Sequence, residues 1–210
     1  MKNKKNDKTI FFLVLILIIL SIINLFIVIF NISSISHDLT GYTSGYVNLT
    51  VLSSVSINLT VDSISWGFGS INSNETNATL YTRGNQSGIV LGGNWSSENV
   101  NGFALENIGN VNCSLYIQNE KDAHGFFNSS SSTNEEYKLN VTNKESNSCF
   151  NLTILGIFND VNITSPGTQY CENFTFEGTK DEIYIDVLLT VPFDSGYIGD
   201  RSDTINILCM

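Results

Sequence analysis

Charge is scarce in this 210-residue chain, and so are proline and histidine: 14% of the residues are Asp, Glu, Lys or Arg, with 2 Pro and 2 His. The few basic residues crowd the start. Lys2, Lys4, Lys5 and Lys8 stand against Asp7, a local charge of +3, and the remainder carries −13. An acidic body with no basic stripe repels a phosphate backbone, so no nucleic-acid partner is expected. There is no C-x-x-C, and His37 and His124 are remote in sequence, which argues against zinc. G-x-S-x-G, H-E-x-x-H, Walker and dinucleotide motifs are all missing; Gly67-Phe68-Gly69 lacks a third glycine and reads as a turn.

One long stretch lacks charge altogether. Ile10–Phe30 reads IFFLVLILIILSIINLFIVIF, apolar except for Ser21 and Asn24. As a helix it spans about 31 Å, matching a hydrocarbon core of roughly 30 Å. Its apolar side chains favour insertion by roughly 6–11 kcal/mol, more than the roughly 3 kcal/mol that Asn24 would cost if it behaved as a charge. The preceding lysines place the N-terminus inside and the rest outside. A cleavable signal would have a shorter apolar core and an A-x-A-like site, and NISSISHDLT has no alanine. Asn24 is a candidate helix–helix contact, though a tolerated single amide is the simpler reading. The expected organisation is a basic cytoplasmic segment (1–9), an uncleaved transmembrane signal anchor (10–30), a juxtamembrane linker (31–44) and an extracellular β-sandwich (45–210).

Beyond residue 44, apolar residues alternate. Val47, Leu49, Val51, Val55, Ile57, Leu59 and Val61 share one parity, and Asn48, Thr50, Ser54, Ser56, Asn58 and Thr60 share the other. Period two puts the first set on a core and the second in water, with a bend allowed at Ser53-Ser54. The parity flips near Asp62, so that Ile64, Trp66 and Phe68 become the apolar set; a bulge or a sheet crossing does that. FALENIGNVNCSLYI, Phe103–Ile117, reads as a hairpin turning at Asn107–Asn110. Strands are expected at Tyr137–Thr142, Phe150–Phe158, Cys171–Phe176, Ile183–Val191 and around Ile205 and Ile207. Residues 69–101 and 120–136, rich in Asn, Ser and Gly, read as loops or edge structure. Many short strands without an amphipathic helix indicate an all-β fold, an antiparallel β-sandwich of Ig-like or related type.

The polar parity carries Asn-x-Ser/Thr repeatedly. Acceptor patterns fall at Asn31, Asn48, Asn58, Asn74, Asn77, Asn85, Asn94, Asn112, Asn128, Asn140, Asn151, Asn162 and Asn173. With 27 Asn and 42 Ser or Thr in the chain, chance accounts for roughly five. The excess fits an exported glycoprotein, but a wet strand face rich in Asn and Thr generates the same pattern. Asn31 lies too close to the membrane for use.

Four cysteines, Cys113, Cys149, Cys171 and Cys209, allow three pairings of two disulfides. Cys113 follows the core parity of Val111, Leu115 and Ile117, and Cys209 that of Ile205 and Ile207. Cys149 and Cys171 share parity with Asn151 and Asn173, read as the outer face. Parity therefore favours Cys113–Cys209 and Cys149–Cys171.

Candidate chemistry is thin. Asp194, Asp200 and Asp203 in one Gly-containing loop would offer oxygen ligands to Ca²⁺, although their spacing misses the EF-hand and suits ordinary turn residues. Glu135-Glu136 and Asp181-Glu182 are adjacent, so in a strand they point apart, a poor arrangement for paired acid–base work. His37 and His124 have no nucleophile beside them. Trp66 and Trp95 would suit either a sugar-binding face or a sandwich core. No enzyme activity and no cofactor are expected.

The order of these segments resembles a known group. A basic start and one apolar helix precede VNLTVLSSVSINLTVDSISWG, then GFALENIGNVNCSL, then VPFDSGYIGDRSDTI. It is similar to small membrane-anchored surface proteins of archaeal, often uncultured, lineages with a single β-sandwich ectodomain. The resemblance implies a structural or adhesive surface role, with the lipid bilayer as one partner and self-association or a surface protein or glycan as another. It brings no catalytic residues. A pilin-like filament subunit is the alternative, but Asp7-Lys8-Thr9 lacks the small residue a prepilin leader needs, and no early Glu lies in the helix. A carbohydrate- or partner-binding receptor is a third reading.

Overall fold

The computed structural model describes residues 4–38, 49–128, 134–150, 153–193 and 199–210, and within the first helix the side chains of Thr9 to Ile29. Val47, Asn48, Asn151 and Asp194 lie outside the described residues, as do residues 39–44 of the expected linker and the side chains of Asn31 and His37. The chain divides into two units, 1–50 and 51–210.

The first unit holds α1, Lys4–Asp38. Thr9–Ile29 has a mean hydropathy of 3.3 and none of it is buried, so by length and composition it is able to cross a membrane. It is apolar on every side, which leaves no polar face for water, unlike the one-sided pattern of a surface helix. The helix runs on past Phe30 to Asp38, into the segment expected as a linker. Once nucleated, each added residue gains a backbone hydrogen bond, so ISSIS is carried along.

The second unit is built of strands: β1 (Ile57–Val61), β2 (Asn77–Arg83), β3 (Gln86–Leu91), β4 (Phe103–Asn107), β5 (Cys113–Asn119), β6 (Glu136–Asn143), β7 (Cys149–Phe150), β8 (Asn159–Asp160), β9 (Thr168–Phe174), β10 (Glu182–Pro192) and β11 (Ile205–Cys209). A short helix, α2 (Ala123–Phe127), is capped by Asp122, whose carboxylate accepts from Gly125 N–H. The strands make two antiparallel sheets. One runs β1-β4-β10-β2-β3, with β6 and β8 joined through β10; the other runs β11-β5-β9-β7.

β10 organises the larger sheet. Glu182–Ile185 pair with β4 and Leu188–Pro192 with β2, while β6 pairs along Ile183–Thr190. One edge is thus shared by two strands and the other given to a third. Ile183, Ile185, Val187 and Leu189 point into the core, where they meet Leu115, Ile117 and Phe174 of the smaller sheet. Fully burying such a side chain stabilises by about 1.5–3 kcal/mol.

Several expected strands differ. Among the described residues of the 47–61 alternation the strand begins at Ile57, and Leu49 is 82% and Val51 74% exposed. The cause is the partner: Ile57 pairs with Asn107, the last residue of β4, so earlier residues have no ladder to join. Asn110 ties that stretch down instead, donating to Leu52 O and accepting from Ser54 N–H. After the parity flip Trp66 is buried, but Phe68 is 92% exposed.

Asn107–Asn110 is not a hairpin turn, because β4 and β5 belong to different sheets. The buried Asn107 amide donates to Val111 O and Phe174 O, fixing the crossing between the sheets. Residues 69–101 contain the β2–β3 hairpin rather than loop, turned at Gly84 with φ 55°. Of the described residues of Phe150–Phe158, Phe150 is in a strand and residues 153–156 turn. Of the expected Cys171–Phe176 strand, residues 171–174 fall in β9, which begins at Thr168 and ends at Phe174.

Candidate functional site

Asp186 lies in the middle of β10 on the face away from the core, yet it is only 5% exposed. It sits where β10 changes partner from β4 to β2. Its Oδ1 accepts from Thr82 Oγ1 at 2.9 Å and from Gly84 N–H at 2.6 Å. A side chain at Gly102 would collide with that oxygen, so the glycine keeps the space open. Burial pushes the Asp186 carboxyl up, and the Gly84 and Thr82 hydrogen bonds only partly offset it.

Above Asp186 is an open cleft of about 330 Å³. The antiparallel register sets Asn140 opposite Asp186 and Thr142 opposite Tyr184, so these four side chains form one floor. Asn140 is 8% exposed, and its buried Oδ1 has no hydrogen-bond partner among the described residues. Tyr81 and Phe158 meet edge to face at 6.4 Å between ring centres and form one wall. The β2–β3 turn supplies Arg83, Asn85 and Gln86 at the rim. The Arg83 guanidinium donates to Ser87 O, which steadies it.

Of the described residues singled out in the sequence, Asn85 and Asn140 line the cleft, and the tryptophans, Asp200, Asp203 and His124 do not. Trp66 is buried against Gly88, and Trp95 packs over Gly69 and Gly93; neither lines the cleft. Asp203 turns inward, its Oδ2 accepting from Asn119 at 3.1 Å, whereas Asp200 is exposed. Among the described residues no group of three or more His, Cys, Asp or Glu is placed to hold a metal. The Asn119 amide also donates to the Tyr137 hydroxyl, and burial, with Asp203 nearby, raises that phenol.

His124 stands in α2 with Nδ1 3.4 Å from Glu135 Oε1. Glu136 turns to Lys138 at 2.6 Å, and this hydrogen bond, with that of Thr190, lowers its carboxyl. Asp181 is buried beside Glu145, its carboxyl raised first by burial. Glu182 pairs with Lys144.

The structure links Cys113 to Cys209 and Cys149 to Cys171, the pairs that parity favoured. The outer-face reading of the second pair is corrected, since Cys149 and Cys171 are both buried. β9 breaks strict alternation, burying Tyr170 and Cys171 in succession.

Of the described acceptor-pattern asparagines, Asn58, Asn74, Asn85, Asn94, Asn112 and Asn128 are exposed, and Asn77, Asn162 and Asn173 are half-buried. Asn140 is withdrawn by its burial: it belongs to the cleft floor.

Sequence reading missed Asp186, Thr82 and Tyr184. The available signal was an acid two residues from a tyrosine on the outer parity of a long apolar strand, opposite Asn-Val-Thr. No family model matches this chain, and neither a curated protein nor a solved structure is found to be similar to it.

Proposed function

We propose that this protein is exported and held in a membrane by its N-terminal helix, displaying the two-sheet unit on the cell surface in a structural or adhesive role without catalysis. The observation that carries the reading is the pairing of an uncharged, strongly apolar Thr9–Ile29 helix with a unit whose four cysteines all form disulfides. Such a helix seeks a bilayer, and such disulfides persist in an oxidising compartment. The lysines at the start favour an inside N-terminus. Exposed acceptor-pattern asparagines fit N-glycosylation, and the two sheets suit a sandwich of the Ig-like kind. The order of parts is the one we read as resembling small archaeal membrane-anchored surface proteins.

The test is protease treatment of intact cells. The acidic portion is expected to be digested while a fragment containing α1 stays with the membrane after alkaline extraction. Full protection of residues 51–210 sinks the proposal. Intact mass above the 23.2 kDa of the bare chain, falling after deglycosylation, is expected for the glycoprotein. N-terminal sequencing that begins near Ile10 instead of at the initiator end would favour the filament reading.

A further inference from the structure

We propose that the cleft over Asp186 and Asn140 is a binding site for a neutral saccharide of one or two rings. The inference deepens the adhesive reading, but it rests on the cleft alone and does not require the membrane tether.

The floor is rich in acceptors. Asp186 presents one carboxylate oxygen already held by Thr82 and Gly84, which fixes the group, and a second with no partner among the described residues. Directly across the strand pair, the Asn140 amide oxygen has no donor although the residue is 92% buried. Buried polar groups are normally paired, so an orphaned one facing a cleft asks for a ligand. With its oxygen held by no hydrogen bond, the carboxamide turns about χ2 and meets a hydroxyl as acceptor or donor.

Donors stand on the opposite side. Arg83 and the Gln86 carboxamide come from the hairpin turn at the rim. Acceptors below and donors above match a ligand whose every polar group both gives and takes a hydrogen bond, which is what hydroxyls do.

Shape and charge narrow the class further. Tyr81, Phe158 and Tyr184 offer apolar surfaces with polar tips, suited to the C–H face of a sugar ring. A carboxylate among aromatic rings also suits an ammonium ion. Here, however, the Arg83 guanidinium lines the same cleft and repels a cation. At about 330 Å³ the space lies at the lower end for small-molecule sites, which suits a terminal mono- or disaccharide rather than a long chain. The Asn140-Val141-Thr142 triplet therefore serves as sugar-binding floor rather than sugar acceptor.

The experiment uses the full chain in polyoxyethylene-detergent micelles, which carry no sugar headgroup. Saturation-transfer NMR is run with glucose, galactose, mannose and N-acetylglucosamine and with their common disaccharides. At least one is expected to bind, and Asn140→Ala to weaken it by about tenfold, the value of one hydrogen bond to a ligand. Because Asn140 Oδ1 bonds nothing in the fold, the same variant is expected to melt no lower than wild type, a combination that a purely structural residue does not give. Phe158→Ala, at the wall, provides a second variant and is also expected to weaken binding. The proposal is overturned if none of these sugars binds, if binding survives both substitutions, or if tetramethylammonium displaces the sugar.

Discussion

Burial holds the Asp186 carboxyl above the usual aspartate range, because desolvation outweighs the hydrogen bonds from Gly84 and Thr82. A raised folded value means the folded chain binds the proton more tightly than the unfolded chain. The stabilising effect is fully present below the unfolded value of about 3.9 and is lost as pH rises through the folded value. At neutral pH the fold therefore carries a buried charge that it would hold more easily as a neutral group. Asp186→Asn keeps an Oδ1 acceptor for both donors and removes that charge. Its melting temperature at neutral pH is expected to equal or exceed that of wild type, and the gap to close as the solution is acidified below the raised value. The difference between the two proteins is the quantity to measure, since Glu136, lowered mainly by Lys138, contributes the opposite slope to both. A variant that melts lower at neutral pH would show that the carboxylate is needed as such. Nothing along the sequence joins Thr82 to Asp186, which lie 104 positions apart. Motif reading searches near neighbours, and this site is assembled by strand pairing.

At the scale of elements, the two disulfides occupy equivalent places in the smaller sheet. Cys113–Cys209 joins β5 to β11, and Cys149–Cys171 joins β9 to β7. Each ties an edge strand of the smaller sheet to its inner neighbour. The larger sheet has no such staple and relies on β10, which is hydrogen-bonded on both edges. Closing loops of 96 and 22 residues is worth about 3–5 kcal/mol each by chain entropy. On reduction, hydrogen exchange is expected to rise first in Ile205–Cys209 and Cys149–Phe150, with β6 and β10 protected longer. Simultaneous loss of protection in β10 would show instead that the sheets open as one unit. The strands legible in the sequence are the ones with sustained alternation and a full-length partner, above all β10 and β6. Leu49–Val55 has the alternation but no partner, because β4 ends opposite Ile57. β2 and β3 have partners but were masked by Asn, Thr and Gly: Ala78 and Leu80 face the core, Thr82 turns instead to Asp186 at the cleft, and the Gly84-Asn85 pair was a two-residue turn signal that composition obscured. Asn107 looked like a turn residue and acts instead as a buried clamp between sheets.

For the whole molecule, the question is whether the β unit needs its helix. All the strand pairings and both disulfides fall within residues 51–210, the second unit. The core cluster is drawn from the same range, from Ile57 to Cys209. Among the described residues these pairings, disulfides and core side chains belong to the second unit, while the apolar surface of α1 would promote aggregation once removed from lipid or detergent. Expression of residues 51–210 into an oxidising compartment is expected to give a soluble protein with no free thiol and a melting temperature within a few degrees of the full chain in detergent, a shift smaller than about 1 kcal/mol would cause. Val51, Leu52 and Val55 stay exposed in that fragment, so its oligomeric state has to be read alongside its stability by light scattering. A monomer with native disulfides would establish the unit as an independent domain carried by its helix. A fragment that precipitates or scrambles its cysteines, and is rescued by restoring residues 1–50, would show that the helix or the segment after it takes part in folding.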